Sequence, residues 1–227
     1  MVKLIRSTGL VILSFVVLFS SCAHEEQMLG RLSAPLNITM VDCIPLVTKD
    51  DAQVFLQNIE ACKNYQNVDG LSTLMMAIYK NRKNIFEMLL NANANVQLVD
   101  ASGTDALFYA VNFHRVEMIK ELRARGAKIQ MSSLGVNALW VALQKSKIEV
   151  LTMLDPSREE VNLQGDDGWN SVYFAIRRQE EAALDLLLKK GVNTNIKDTE
   201  GISPLAFARD EVKWDYAVKR LSRPPHK

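Results

Sequence analysis

Three histidines and three cysteines are the residues of this 227-residue chain best suited to proton, nucleophile or metal chemistry. Their spacing argues against all three uses. His24, His114 and His226 stand near the start, in the middle and at the end of the chain, and Cys22, Cys43 and Cys62 are isolated from one another and from the histidines. A zinc site needs its ligands in closely spaced pairs, and acid–base or nucleophilic catalysis needs its groups gathered in one water-poor site. The run Gly165-Asp166-Asp167-Gly168 has the look of a calcium loop, but the remaining oxygen ligands and the closing Glu are missing at their proper spacing. No glycine-rich run would cradle a phosphate. The sequence therefore predicts a chain without catalytic residues, metal or cofactor, with His114 as a structural residue at a bend between helices.

Charge supplies no global partner. Lys and Arg total 27 against 26 Asp and Glu, so no overall field draws the chain to nucleic acid or to an anionic membrane. The first residues are more informative. Lys3 and Arg6 precede an apolar run from Leu10 to Phe19, and small Ser20 and Ser21 precede Cys22, as in a secretory signal that is too short to span a bilayer. Leu18-Phe19-Ser20-Ser21-Cys22 resembles the bacterial lipobox, with Phe19 where Leu is commoner. The resemblance implies a signal peptide over 1–21, acylation of Cys22, and stable anchoring by more than one lipid chain. Ala23 after the cysteine is similar to sorting patterns that favour the outer membrane. Loss of Lys3 and Arg6 would take the formal charge from +1 to −1.

With Cys22 acylated, Cys43 and Cys62 remain as an even pair in an oxidising compartment. They can form a disulfide that contributes ~3 kcal/mol by closing a loop. Alternatively, Cys62 is a small buried hydrophobe and Cys43 a free thiol. Residues 22–49 read as a tether and N-terminal extension, because Pro35 and Pro45 interrupt helix and no sustained helical period starts before Asp50. Its apolar part, Leu36 to Val47, is expected to lie against the first helix layer, and a capping helix is expected from Asp51 to Asn64.

Beyond it the chain repeats itself. Glycines stand at 70, 103, 135, 168 and 201, spaced by 33, 32, 33 and 33 residues. Two residues after each glycine comes a side chain able to cap a helix: Ser72, Asp105, Asn137, Asn170 and Ser203. Four after comes Leu74, Leu107, Leu139, Val172 or Leu205, and seven after comes Ala77, Ala110, Ala142, Ala175 or Ala208. A small residue there lets two helices approach closely. A second apolar stripe follows in each unit, for example Ile85-Phe86-Met88-Leu89-Leu90 and Val116-Met118-Ile119-Leu122. Gly126 and Gly191 supply helix stops, whereas Asp155-Pro156 replaces the glycine stop and makes the third unit irregular.

This pattern resembles the ankyrin repeat, in which a β-turn finger precedes an antiparallel helix pair. The resemblance implies an all-α solenoid over 50–223, with an N-terminal cap helix and about five repeats, followed by a tail at 224–227. The family's Thr-Pro-Leu-His signature is degenerate. Only Ser203-Pro204-Leu205 keeps the proline, and the histidine position holds Met75, Phe108, Trp140, Tyr173 and Ala206.

Ankyrin stacks generally bind proteins on the concave face made by finger tips and first helices. Among the fifteen residues that precede the five glycines, Asp69, Asp100, Asp166, Asp167, Asp198 and Glu200 are acidic and none is basic. Two readings stand: Asp and Asn favour turns for backbone reasons, or an acidic ridge awaits a basic partner. Trp169, Tyr79 and Phe113 are placed to contact a partner, as are Leu71 and Leu134 at the fingers and Arg177 and Arg178 at the end of a first helix. Trp140, Tyr173, Phe108 and Tyr109 are expected to pack between layers. The expected function follows from resemblance to envelope lipoprotein immunity factors, which neutralise toxic effectors by covering their active sites. An envelope scaffold holding an endogenous protein is the alternative. Either would be monomeric when unbound, would touch membrane only through its lipid, and would bind no nucleic acid.

Overall fold

The computed structural model describes residues 42–49, 52–145 and 147–222, all within the unit Val41–Lys227. Cys22, the lipobox, His24 and His226 lie outside the described residues.

Every described element is helical. The N-terminal region holds α1 (Cys43–Lys49), α2 (Ala52–Gln57) and α3 (Ile59–Cys62), and the first unit holds α4 (Thr73–Tyr79) and α5 (Lys83–Asn91). The second comprises α6 (Ala106–Asn112) and α7 (Val116–Ala124), the third α8 (Ala138–Gln144) and α9 (Ile148–Leu154). After a short α10 (Arg158–Val161) come α11 (Ser171–Arg178) and α12 (Glu181–Lys189). The fifth unit is α13 (Pro204–Ala206), which widens into a π-helix over Phe207–Glu211, and α14 (Asp215–Leu221). First helices α4, α6, α8, α11 and α13 pack in one row, and α7, α9, α12 and α14 in a second. This is the ankyrin-repeat fold.

The sequence register carries the architecture. All five capping residues accept a backbone N–H of the first turn of their helix: Ser72 from Met75, Asp105 from Phe108, Asn137 from Trp140, Asn170 from Val172 and Ser203 from Ala206. Each bond satisfies one of the N–H groups that a helix start leaves without an intrahelical partner. The five alanines are all buried, where a larger side chain would hold the helices apart. Between first and second helices the chain turns through a left-handed residue, Asn81, His114, Gln179 or Lys213. His114 is therefore an exposed turn residue.

A basic side chain at this turn reaches back to carbonyls at the end of the previous first helix. Arg115 Nε donates to Ile78 at 3.2 Å and Lys145 Nζ to Asn112 at 2.6 Å. Cations at a helix C-terminus also complement its dipole.

The N-terminal boundary differs from the sequence expectation. Residues 43–49 form helix α1 and not an irregular extension, and Arg82 Nη2 donates to Thr48 O at 2.9 Å, the same clamp found in the repeats. With α1 against α4 and α2 against α5, the region acts as an extra helix-pair layer. Pro45 does not prevent this, because within the first turn of α1 its missing N–H would have had no intrahelical partner. The single capping helix expected over 51–64 is instead two, interrupted at Asn58. Cys43 and Cys62, both buried, are joined as a disulfide that ties α1 to α3.

Candidate functional site

The fingers are built by side-chain oxygens that fold the turn onto itself. Asn67 Oδ1 accepts the N–H groups of Asp69 and Leu71, at 3.0 and 2.9 Å. Asp100 Oδ1 accepts those of Ser102 and Thr104, and Asp198 Oδ1 those of Glu200 and Ile202. Asp100 Oδ2 also takes the Tyr109 hydroxyl at 3.0 Å, and Asp167 Oδ1 accepts the Trp169 N–H at 2.9 Å. Three of the six finger acids, Asp100, Asp167 and Asp198, thus shape turns, as Asp and Asn do for local reasons. Asp69, Asp166 and Glu200 are exposed and make no such bonds. Leu71 is half-buried against the core and closes its finger through its N–H, so it offers little contact surface.

Successive fingers are joined by one backbone bond each, with one exception. Ala101 N–H donates to Asp69 O, Ser133 to Ser102 O and Thr199 to Asp167 O, at 2.9 to 3.0 Å. Close approach demands glycine: at Gly103, φ is 71° and a β-carbon would stand 2.8 Å from Ser133 N. No such bond joins the third finger to the fourth, and a β-carbon on Gly135 would meet only the Asp166 carboxylate, at 3.7 Å. Beneath this gap the Trp140 indole stacks on Phe174 with centroids 4.7 Å apart and reaches the base of the fourth finger at Gly165. Leu134 stands at the gap, 72% exposed.

The predicted contact residues fall into two groups on either side of that gap. In the first, Tyr79 is 42% exposed and sets its ring edge-on to Phe113 at 4.9 Å, with Lys80 Nζ 4.8 Å from the Tyr79 centroid. Phe113 is half-buried, and Tyr109 lies beyond it at 6.1 Å. Burial, then the bond to Asp100, pushes the Tyr109 hydroxyl up to about 12.

In the second, Trp169 is half-buried among Tyr173, Phe174 and Phe207, at 5.2, 5.6 and 5.0 Å. The Arg177 guanidinium lies 5.6 Å from its centroid, and the indole N–H donates to Asp198 Oδ2 at 3.4 Å. Trp169 is thus both surface and support, and its truncation would disturb the last two units as well as a contact. Arg178 is exposed beside Arg177. Trp140 and Tyr173 are buried, whereas Phe108 and Tyr109 are half-buried. Burial, then the charges of Asp198 and Asp167, pushes the Tyr173 hydroxyl up to about 12.

Two residues of this second group escape sequence reasoning. The π-helix closes a bond from Val212 N–H to Phe207 O, a wide turn that places Phe207 and Glu211 on one wall with Trp169, Asp167, Asp198 and Glu200 around a pocket of about 330 Å³. Nothing in the sequence signals a π turn, since the residues suit an α-helix. Among the described residues no three His, Cys, Asp or Glu side chains group to hold a metal ion, and no helix is long and apolar enough to cross a membrane.

Comparison with known proteins agrees with the fold. Residues 46–133 match the family of ankyrin repeats, in three copies. The chain is 30% identical over 127 residues to a putative ankyrin repeat-containing protein of Treponema pallidum, covering 55% of this chain and 43% of that protein. It is 28% identical over 156 residues to the human transient receptor potential cation channel subfamily A member 1, covering 66% of this chain and 14% of the channel. The chain thus spans less than half the length of either relative. Among solved structures, a chain of the complex between the predatory endopeptidase Bd0816 of Bdellovibrio bacteriovorus and the immunity protein Bd3460 superposes with a TM-score of 0.65 at 23% identity, over 80% of this chain and 97% of that one. An ankyrin repeat domain from Acinetobacter baumannii AYE gives a TM-score of 0.69 at 24% identity, over 79% and 94%.

Proposed function

We propose that this ankyrin-repeat stack is a lipid-anchored inhibitory binding protein of the bacterial envelope, an immunity protein that neutralises a toxic effector by occluding its active site. Cys22 carries the anchor on the periplasmic face, in the outer membrane. Ankyrin repeats in general are protein-interaction modules without enzymatic activity of their own.

One observation carries the reading. The finger and first-helix side of the stack keeps apolar and aromatic side chains and uncommitted carboxylates at its surface, among them Tyr79, Leu134, Asp166 and Glu200, all exposed. Exposed aromatic and apolar groups ringed by charge are what binding surfaces present. The similarity to a chain from an endopeptidase–immunity complex supports the inhibitory version. The disulfide between Cys43 and Cys62 supports an oxidising compartment.

The test is affinity isolation of the protein from envelope extract, followed by co-expression with each captured candidate directed to the periplasm. The reading expects one captured protein to be toxic alone and harmless with this chain, and its purified activity to fall in proportion to complex formed. Capture only of housekeeping envelope proteins, with no effect on toxicity, would replace immunity with the scaffold function.

A further inference from the structure

We infer that the pocket between the fourth and fifth fingers is the docking point for an arginine side chain of the partner protein. The inference rests on the reading of the chain as a protein-binding module and adds the chemistry of one contact. Of about 330 Å³, the pocket is walled by the Trp169 and Phe207 rings and by the carboxylates of Asp167, Asp198, Glu200 and Glu211. No lining residue is basic, and no ion pair among the described residues engages any of the four carboxylates. Glu200 and Glu211 make no hydrogen bond with their side chains and are exposed.

The features select arginine. Carboxylates alone would suit any cation, but a planar guanidinium both stacks on aromatic rings and forks onto carboxylates, which a hydrated ammonium does less well. Trp169 is already stacked on Tyr173 and approached by the Arg177 guanidinium of this chain at 5.6 Å, whereas no cation among the described residues lies over Phe207, so Phe207 is the ring on which the incoming guanidinium stacks. The rare π turn is a second, separate feature of the same wall. It sets Phe207 and Glu211 toward one side of the fifth first helix, and such widened turns are frequent at functional sites. Charge complementarity further restricts the occupant: four carboxylates and no basic side chain line the cavity, which favours a cationic group.

The experiment follows the indole ¹H–¹⁵N signal of Trp169 in the full-length chain during titration with a glycine-flanked arginine peptide and with its citrulline counterpart. Arginine should move the signal saturably, and citrulline should not. Glu200→Gln with Glu211→Gln, both exposed and uninvolved in the fold, should weaken binding about tenfold. Asp69→Asn, at the opposite end of the finger row, should change nothing. Equal response to citrulline, equal loss in Asp69→Asn, or no movement of the Trp169 signal would overturn the inference. A captured partner bound equally well by the Glu200→Gln and Glu211→Gln chain would overturn it while leaving the immunity reading intact. Saturable arginine binding in a chain that captures no envelope partner would uphold the pocket and remove the immunity reading.

Discussion

Trp140 and Gly165 are matched in size: a β-carbon on Gly165 would stand 2.9 Å from the Cη2 of the Trp140 indole. The ring cannot retreat easily, because it is buried and stacked on Phe174. Gly165→Ala should therefore destabilise the fold by ~1–3 kcal/mol. The same change in a Trp140→Leu background should cost much less than it does alone, since the atoms it meets are gone. Denaturant melts of the two single variants and the double variant measure the coupling. Additive losses would mean the contact plays no part in stability.

Asp105 is the one ionisable member of the five capping residues, and it is buried. Burial raises its carboxyl to about 6, against the lowering effect of its bonds with the Phe108 N–H and Gln130. Because the folded value exceeds the unfolded one, the stability this group supplies is complete below about pH 4 and is lost as pH rises through about 6. Asp105→Asn keeps the cap, as Asn137 and Asn170 do in the next two units. It should raise stability at pH 7 by up to ~3 kcal/mol and flatten the profile between pH 4 and 7. Melts across that range check it, and an unchanged profile would count against the burial of this charge.

Glu160 titrates in the opposite sense. Burial is the largest influence and would raise its value, but the Arg123 fork and the N–H groups of Ile129 and Ser157 together outweigh it and hold the carboxyl low. Its contribution is therefore present above the ordinary glutamate value and lost as pH falls through the lower folded one. Arg123→Ala strands a buried carboxylate and should cost ~3 kcal/mol, whereas Arg123→Ala with Glu160→Gln, which removes the charge and keeps an acceptor for one of the Ile129 and Ser157 N–H groups, should recover part of it. Thermal melts at neutral pH distinguish the two outcomes.

Much of this was legible in the chain, for physical reasons. Glycines at 70, 103, 135, 168 and 201, with the caps two residues later, mark backbone demands that few residue types meet, so they stand out in a single sequence. Helix α1 was hidden because Pro45 sounds like a break, and the first turn of a helix tolerates it. The site was only half visible. Whether Asp100 faces a partner or folds its own turn depends on where Thr104 and Tyr109 lie in space, and composition cannot say. The missing bond between the third and fourth fingers is likewise a matter of tertiary placement: there Trp140 lies against Gly165, and the chain reaches the fourth finger through α10.

The anchor can be tested apart from the fold. Cells given a palmitate analogue should label the wild-type protein, and Cys22→Ser should be unlabelled and found as precursor or released from the membrane fraction. Label persisting in Cys22→Ser would remove the lipoprotein proposal.

The central claim is that the finger and first-helix side grips the partner, and on- and off-rates of surface variants against that partner at two salt concentrations test it most directly. Asp166→Lys with Glu200→Lys should slow association, by an amount that shrinks as salt screens the field. Tyr79→Ala should chiefly speed dissociation. Lys120→Glu and Lys189→Glu, exposed on the second helices α7 and α12, should leave both rates unchanged. Loss of binding in the Lys120 and Lys189 variants, with Tyr79→Ala and the finger variants binding normally, would contradict the account.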